Sequence, residues 1–492
     1  MMMSLLFMWQ SSLLAVGIYF ICKLYKIITS PLTSIPGPWY THFTNLILRY
    51  HTLTGQRIFY IHSLHHRHGP IVRISPNEVD VSDLAAFAEV HRIGSGFTKS
   101  EWYDRATYGI QGNVFVMTDV KAHAERRRLL ARPFSKSSLV ANFHGVVGER
   151  ARRAVGEIRR EVVGGTGEAD VMKWWTLMAT DVVARVVFGE ELGLVEAGEK
   201  TDYINDLELA TQAWGLRGEE PLLYHVMRLV APQTIRHFDT SIKNVVTYGT
   251  AAAARAKHRD LQKQNVLNEM ISLSKEGKSN LTDSAIGAQA SALIVAGSGT
   301  TAVTLTYAVW AIVKHPQVRA KLEEEVSKIP ADYNDATLES LPYLKAVITE
   351  VLRLYGSAPG SLPRRTPEGG IAVTGYFVPA GVTVTTQIYT IHRDAEIFPD
   401  PDKFDPSRFY NRSLSADERR ALAPFGGGTR LCLGIHLAEM ELRHGLAEFF
   451  RECRDVELSG WTTPESMEMD NYFLIIPKSK RCLVRRKDEK NM

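Results

Sequence analysis

A single cysteine in a glycine-dense loop constrains this chain more than any other feature. The stretch runs Phe425-Gly426-Gly427-Gly428-Thr429-Arg430-Leu431-Cys432-Leu433-Gly434. A helical pattern starts directly after it, from Ile435 to Phe450, with Leu437, Ala438, Leu442, Leu446, Phe449 and Phe450 as its apolar members. Glycines let a backbone come close to a flat object. A helix N-terminus just beyond Cys432 aims unpaired N–H groups and positive dipole at the sulfur, which favours thiolate. An anionic sulfur on a flattened loop suits ligation of a haem iron from one side. Arg430 then stands where a haem carboxylate would be met. A cysteine beside glycines is otherwise a small buried hydrophobe, so the argument rests on the spacing.

The spacing Phe-x-x-Gly-x-Arg-x-Cys-x-Gly resembles the haem-binding loop of the cytochrome P-450 family, the haem-thiolate monooxygenases. The resemblance implies a mainly α fold with a minor β region and haem b as cofactor. It also implies Phe425 and Arg430 as cofactor contacts and Cys432 as the axial ligand. Further motifs follow in that family's order along nearly the whole chain.

Lys121 to Leu130 reads as a helix with His123 and Arg127 at i and i+4 on one face. Charge runs of this kind are ordinarily solvated. The resemblance makes His123 and Arg127 propionate ligands, and an Arg fork suits a carboxylate. Arg126 and Arg128 would point elsewhere. With Arg132 and Lys136 they would offer a basic surface to an acidic electron donor.

Thr282 and Asp283 read as a helix start. No charged residue follows from Ser284 to Val313, and Lys314-His315-Pro316 ends the run. Its length would cross a membrane. Its Ser and Thr content, and Gly297 and Gly299 at about 1 kcal/mol each against Ala, argue for a core helix instead. The small residues of Ala296-Gly297-Ser298-Gly299-Thr300-Thr301 would leave a groove for oxygen and substrate. A helical threonine usually bonds the carbonyl four residues back. The resemblance assigns Thr300 to catalysis, in proton delivery, although Gly299 stands where that family usually has an acid.

Ser340-Leu341-Pro342 opens another helix, with Glu350 and Arg353 at i and i+3. Arg408 follows in Phe404-Asp405-Pro406-Ser407-Arg408-Phe409. The resemblance implies a buried Glu350–Arg353–Arg408 cluster that locks the cysteine loop. It makes Arg364 a propionate ligand, with neighbouring Arg365 as the other candidate. Ser357 to Leu362 would line the substrate pocket. Gly96 to Met117 and Asp206 to Tyr224 match the variable substrate regions.

Leu5 to Ile21 is apolar apart from Gln10, Ser11 and Ser12, and Lys23 and Lys26 follow. That length approaches the roughly 20 residues of a bilayer span, and trailing lysines favour a cytoplasmic C-terminal side. A cleaved secretory signal would carry its basic residues first. We therefore expect a membrane anchor over residues 1–30 and one catalytic domain over 31–492, with Ile35-Pro36-Gly37-Pro38 as a stiff hinge. Three β-hairpins are expected: Pro70–Ile74 with Glu78–Val81, Ile371–Thr374 with Val382–Thr385, and Phe473–Ile476 with Cys482–Val484.

A net charge of +4 is too small to argue for nucleic acid, and four cysteines in 492 residues are no disulfide framework. The resemblance, closest in motif style to fungal microsomal members, implies oxidation of a hydrophobic polyketide, terpenoid or alkaloid. NADPH–cytochrome P-450 reductase would supply electrons, with cytochrome b5 as a further candidate partner, at the cytosolic face of the endoplasmic reticulum membrane. Two rivals stay open: a haem-thiolate isomerase or lyase working without a reductase, and a non-catalytic haem-binding protein.

Overall fold

A computed structural model describes the chain apart from residues 1–13, 15–16, 19–20, 23, 26, 107–111, 257–264, 277–280 and 488–492. Most of the expected membrane anchor lies outside the described residues. The masked 107–111 fall within the variable stretch Gly96 to Met117.

The architecture is mainly helical with small sheets. At its centre runs the helix Asp283–Lys314, capped by the Thr282 side chain, which accepts from the Ala285 N–H at 3.2 Å. It is long and apolar enough to cross a membrane, yet most of it is buried inside the protein. Glycines let its neighbours come close. A Cβ on Gly249 of the helix Pro232–Ala256 would stand 1.9 Å from Ser291 Oγ. A Cβ on Gly297 would stand 2.7 Å from Val183 Cγ2 of the helix Val171–Phe188. Gly297 therefore serves helix packing, not the groove expected from the sequence.

The first expected hairpin forms: Ile71–Ser75 pairs antiparallel with Glu78–Val81. The other two pair differently. Ile371–Val373 pairs with Tyr376–Val378. Thr374 (φ 48°) and Gly375 (φ 83°) make a two-residue turn with both central residues left-handed, the geometry that suits the twist of a tight hairpin. Thr383–Thr385 is thereby released to pair parallel with Glu78–Val81 and antiparallel with Arg364–Arg365. Likewise Ile475–Pro477 pairs with Met469–Asn471, while Leu483–Arg486 joins Glu168–Asp170 and Val456–Leu458. In both places the nearer strand wins, because a short loop closes at lower entropic cost.

The five-stranded sheet runs Ile71–Ser75, Glu78–Val81, Thr383–Thr385, Arg364–Arg365, Thr98–Lys99. Its last pairing sets Lys99 opposite Arg364. Two strands distant in sequence thus deliver two buried cations to one place.

Candidate active site

The cysteine loop is held from three sides. Within it, the Cys432 N–H donates to Phe425 O at 2.9 Å. From below, Gly428 (φ 61°) lies so close to His91 that an added Cβ would be 1.8 Å from the His91 carbonyl oxygen, so only glycine fits there. From the side, Arg127 donates to Leu431 O at 2.8 Å and Arg430 to Met117 O at 2.7 Å. Leu362 completes the frame, 3.6 Å from where a Gly426 Cβ would be.

Behind the loop stands a charge cluster in which Glu350 and Arg353 are fully buried and Arg408 partly so. Arg353 grips Glu350 with two nitrogens, at 2.7 and 2.9 Å, and Arg408 Nε adds a third bond at 3.2 Å. The Asp405 N–H donates to Glu350 as well, at 2.8 Å. Arg353 also binds the carbonyls of His392 and Pro401. His392 Nδ1 lies 2.8 Å from Arg353 O, and its Nε2 accepts the Ala423 N–H at 3.2 Å. Those partners fix one tautomer, with the proton on Nδ1. Burial lowers the His392 pKa to about 3, so the ring stays neutral. An unbroken chain of bonds runs from Glu350 to Ala423, two residues ahead of Phe425.

Cys432 keeps open surface, and so do Gly428 and Thr429 beside it. Protein crowds the sulfur elsewhere, and that desolvation raises the thiol pKa. The Gly434 N–H and Arg127 pull the other way without winning. The helix Ile435–Glu452 therefore does not by itself make the thiolate expected from the sequence. A bound metal would, because coordination deprotonates a thiol outright.

In the middle of the core helix, Ala296 is exposed and Thr300 half-buried. Thr300 Oγ1 donates to Ala296 O at 2.6 Å, the ordinary helical back-bond. Gly299 faces the turn after Met469–Asn471: a Cβ there would be 3.4 Å from Leu474 Cδ1. Trp102, Phe115 and Phe473 form an aromatic wall next to Leu474, with Trp102 and Phe473 nearly parallel at 6.0 Å. Trp102 Nε1 donates to Glu219 Oε1 at 2.8 Å. The two variable stretches read from the sequence thus meet in space.

The cationic groups show whether haem would fit. His123 and Arg364 are buried, and Arg127 and Arg430 are half-buried. Arg364 turns inward, whereas Arg365 is exposed and pairs with Glu101 at 3.3 Å, so strand alternation separates the two candidates. Lys99, which sequence reasoning missed, completes the group. It is 7% exposed. Its ammonium binds Phe115 O and lies 3.9 Å over the Tyr103 ring and 4.4 Å over the Phe115 ring. Burial first, then Arg364 and Arg430, push its pKa well down. His123 is lowered to about 3 by burial and by Arg430, Lys99, Arg127 and Arg364. Arg430 falls to about 10 by burial, with Arg364 and Arg127 adding to it and Asp119 opposing. Five basic groups crowd together here, and Asp119 is the carboxylate that opposes the shift at Arg430. A dianionic ligand beside the cysteine loop would relieve them, which is what the two propionates of haem provide. Lys99 had no local signal; its meaning comes from its register with Arg364. Arg126, expected on the outer face, is buried and bonds Gly112 O at 2.5 Å.

Comparison with known proteins agrees. The cytochrome P450 family model matches residues 35–484. The chain is 38% identical over 471 residues to "cytochrome P450 monooxygenase tazI" of Aspergillus terreus, covering 94% of this chain and 95% of that one. It is 39% identical over 464 residues to "cytochrome P450 monooxygenase stcB" of Emericella nidulans, covering 92% and 88%. It is 30% identical over 389 residues to "methylphloroacetophenone oxidase" of Cladonia uncialis, covering 76% and 85%. With the family model spanning nearly its whole length, the chain belongs to the cytochrome P450 family, as an oxygen-incorporating oxidoreductase whose cofactor is haem.

Proposed function

We propose that this protein inserts oxygen into a hydrophobic, planar aromatic metabolite, with Cys432 as the axial ligand of haem b. The observation that carries this reading is the gathering of Lys99, His123, Arg127, Arg364 and Arg430 beside the cysteine loop. Bound haem with thiolate ligation supplies oxygen activation, O–O cleavage and oxygen transfer. The protein's own residues do the rest. The five basic groups would hold the propionates, Phe425 closes the loop on Cys432 through its carbonyl, and Ala296 and Thr300 would leave room for oxygen and substrate. Leu474 and the aromatic wall orient the substrate and exclude water.

The stacked and edge-on rings of Trp102, Phe115 and Phe473 favour a flat partner. The name methylphloroacetophenone oxidase gives one relative a phenolic ketone as substrate. Together these support an aromatic polyketide within secondary metabolism. Electrons come from NADPH–cytochrome P-450 reductase, with cytochrome b5 as a second donor. Arg132, whose side chain is 81% exposed and lies 3.6 Å from Glu269, belongs to the basic docking face. Residues 1–30 anchor the catalytic domain, 31–492, to the endoplasmic reticulum membrane. In support, Leu14, Ile18, Ile21, Leu24, Tyr25 and Ile28 are exposed, and so are Trp39, Phe43 and Leu46 just beyond them.

The test is the reduced, carbon-monoxide-bound spectrum, followed by turnover of phenolic ketones with NADPH and reductase. A thiolate-type spectrum and NADPH-dependent hydroxylation support the reading. Reductase-independent conversion of a peroxide would make the protein an isomerase instead.

Lys99→Met tests the clamp. Apoprotein is expected to bind haem about 10–100-fold more weakly, read by haem titration, with an unchanged far-ultraviolet spectrum. Unchanged affinity would remove Lys99 from the site.

A further inference from the structure

Histidines cluster in the last two turns of the helix Arg57–His68, at His62, His65, His66 and His68. His65 serves the fold: its Nδ1 lies 2.9 Å from Gly69 O and its Nε2 2.8 Å from Asp80 Oδ1. His62 and His66 stand at i and i+4, hence on one face. His62 is half-buried and His66 exposed. The site around Cys432 uses neither.

The two rings meet tip to tip. Nε2 of His62 and Nε2 of His66 are 3.0 Å apart, and the ring planes cross at 83°. Two imidazoles at about 2.0–2.1 Å from one zinc ion have nitrogens about 2.9 Å apart at a right angle and about 3.4 Å apart at the tetrahedral angle. The observed separation falls inside that window. His62 is also held as a metal ligand is held. Its other nitrogen, Nδ1, lies 3.3 Å from Thr390 Oγ1, to which Gln387 Nε2 donates at 2.9 Å. The His62 ring stands edge-on to Tyr389. A ligating histidine characteristically donates its second N–H to such an oxygen, which sets the tautomer and orients the ring. Arg393, stacked on Tyr389 at 3.7 Å, is paired with Asp402 at 2.9 Å, so its charge is offset.

We propose that His62 and His66 bind a divalent transition-metal ion, each through Nε2, with water in the remaining positions. Imidazole nitrogen selects the zinc, copper and nickel class over magnesium and calcium, which prefer oxygen. His62 keeps its proton on Nδ1 and donates it to Thr390, so the Nε2 lone pair faces the ion. No group of three or more His, Cys, Asp or Glu able to hold a metal occurs among the described residues, so the pair acts without a third protein ligand. The ion spans one turn of the helix and ties it, through Thr390, to the short helix Ile388–Ile391. A ligand taken only by the folded protein stabilises it. The competing account is a bare N–H···N hydrogen bond between two neutral rings, which needs no metal.

Calorimetric titration of the full-length holoenzyme, free of any affinity tag, separates the two. Zn2+ and Ni2+ are expected to bind at a single site and to raise the unfolding midpoint, and Mg2+ to do neither. His66→Ala, at an exposed position, is expected to abolish that site. Thr390→Val keeps both ligands but removes the acceptor that orients His62, and is expected to weaken binding about 10–100-fold. That variant decides alone should His66→Ala fail to fold. His68→Ala lies two residues along the helix, off the shared face, and is expected to bind as the wild type does. A wild type that takes up neither Zn2+ nor Ni2+ overturns the proposal, and the hydrogen-bonded pair stands. Wild-type affinity in His66→Ala or in Thr390→Val overturns it as well. An equal loss in His68→Ala would put the ion elsewhere on the helix and has the same consequence.

Discussion

Cys432→Ser is expected to give a protein that folds but no longer forms the thiolate-type carbon-monoxide complex and has no turnover above background. Loop geometry does not depend on the sulfur. It depends on the Cys432 N–H bond to Phe425 O, on Gly428 against His91, and on Arg127 at Leu431 O. Serine preserves all three, so circular dichroism and the unfolding midpoint should stay near wild type. What is lost is an atom able to become an anion toward iron: a serine hydroxyl ionises far less readily than a thiol, which is itself held high here by burial. Cofactor affinity should fall by more than the roughly 10–100-fold usual for losing an outer-shell partner of a metal ligand. A serine variant that still bound haem and turned over at the wild-type rate would remove Cys432 from the centre of the mechanism.

Glu350→Ala is expected to act on folding and loading together. It strips both arginines of their shared acceptor and leaves Arg353, with a side chain 0% exposed, as a buried uncompensated charge. Breaking a buried pair in this way costs about 3–5 kcal/mol, a large share of the roughly 5–15 kcal/mol that holds a domain together. The damage has a path to the site. Arg353 O orients His392, and His392 Nε2 accepts from Ala423 just before the cysteine loop. The expected result is little soluble holoprotein, and haem that is weakly held in what remains. Glu350→Gln keeps the shape but not the charge and should lie between. His392→Phe breaks the link to Ala423 while leaving the ion pairs intact. It should lower haem retention more than it lowers the unfolding midpoint. A stable, fully loaded Glu350→Ala protein would show that the cluster does not support the loop.

Much of the site was legible because its signals are local. The cysteine loop, the Glu350/Arg353 pair and the His123/Arg127 face each lie within one or two helical turns. Their spacing, taken with the family resemblance, made the structural expectation, and the structure keeps each group together. Strand pairing was less legible. The turn at Thr374 and Gly375 takes two left-handed residues, one of them not glycine, and sequence alternation did not reveal that the nearer partner strand was Tyr376–Val378. Gly297 was read as making room for ligand, but Val183 takes that space. Arg126 looked like one more solvated charge until Gly112 O proved to be its partner.

The sequence by itself determined the cysteine loop, the uncharged run from Ser284 to Val313 and the order of the motifs between them. Those follow from backbone preference and periodicity, which act over a few residues. Tertiary structure alone decided that Lys99 joins the arginines, that Arg364 and not Arg365 turns inward and that His392 carries its proton on Nδ1. Each of these depends on desolvation and on partners brought in from distant parts of the chain. A side chain's charge is written in the sequence, but the cost of keeping it is set by what the fold packs around it.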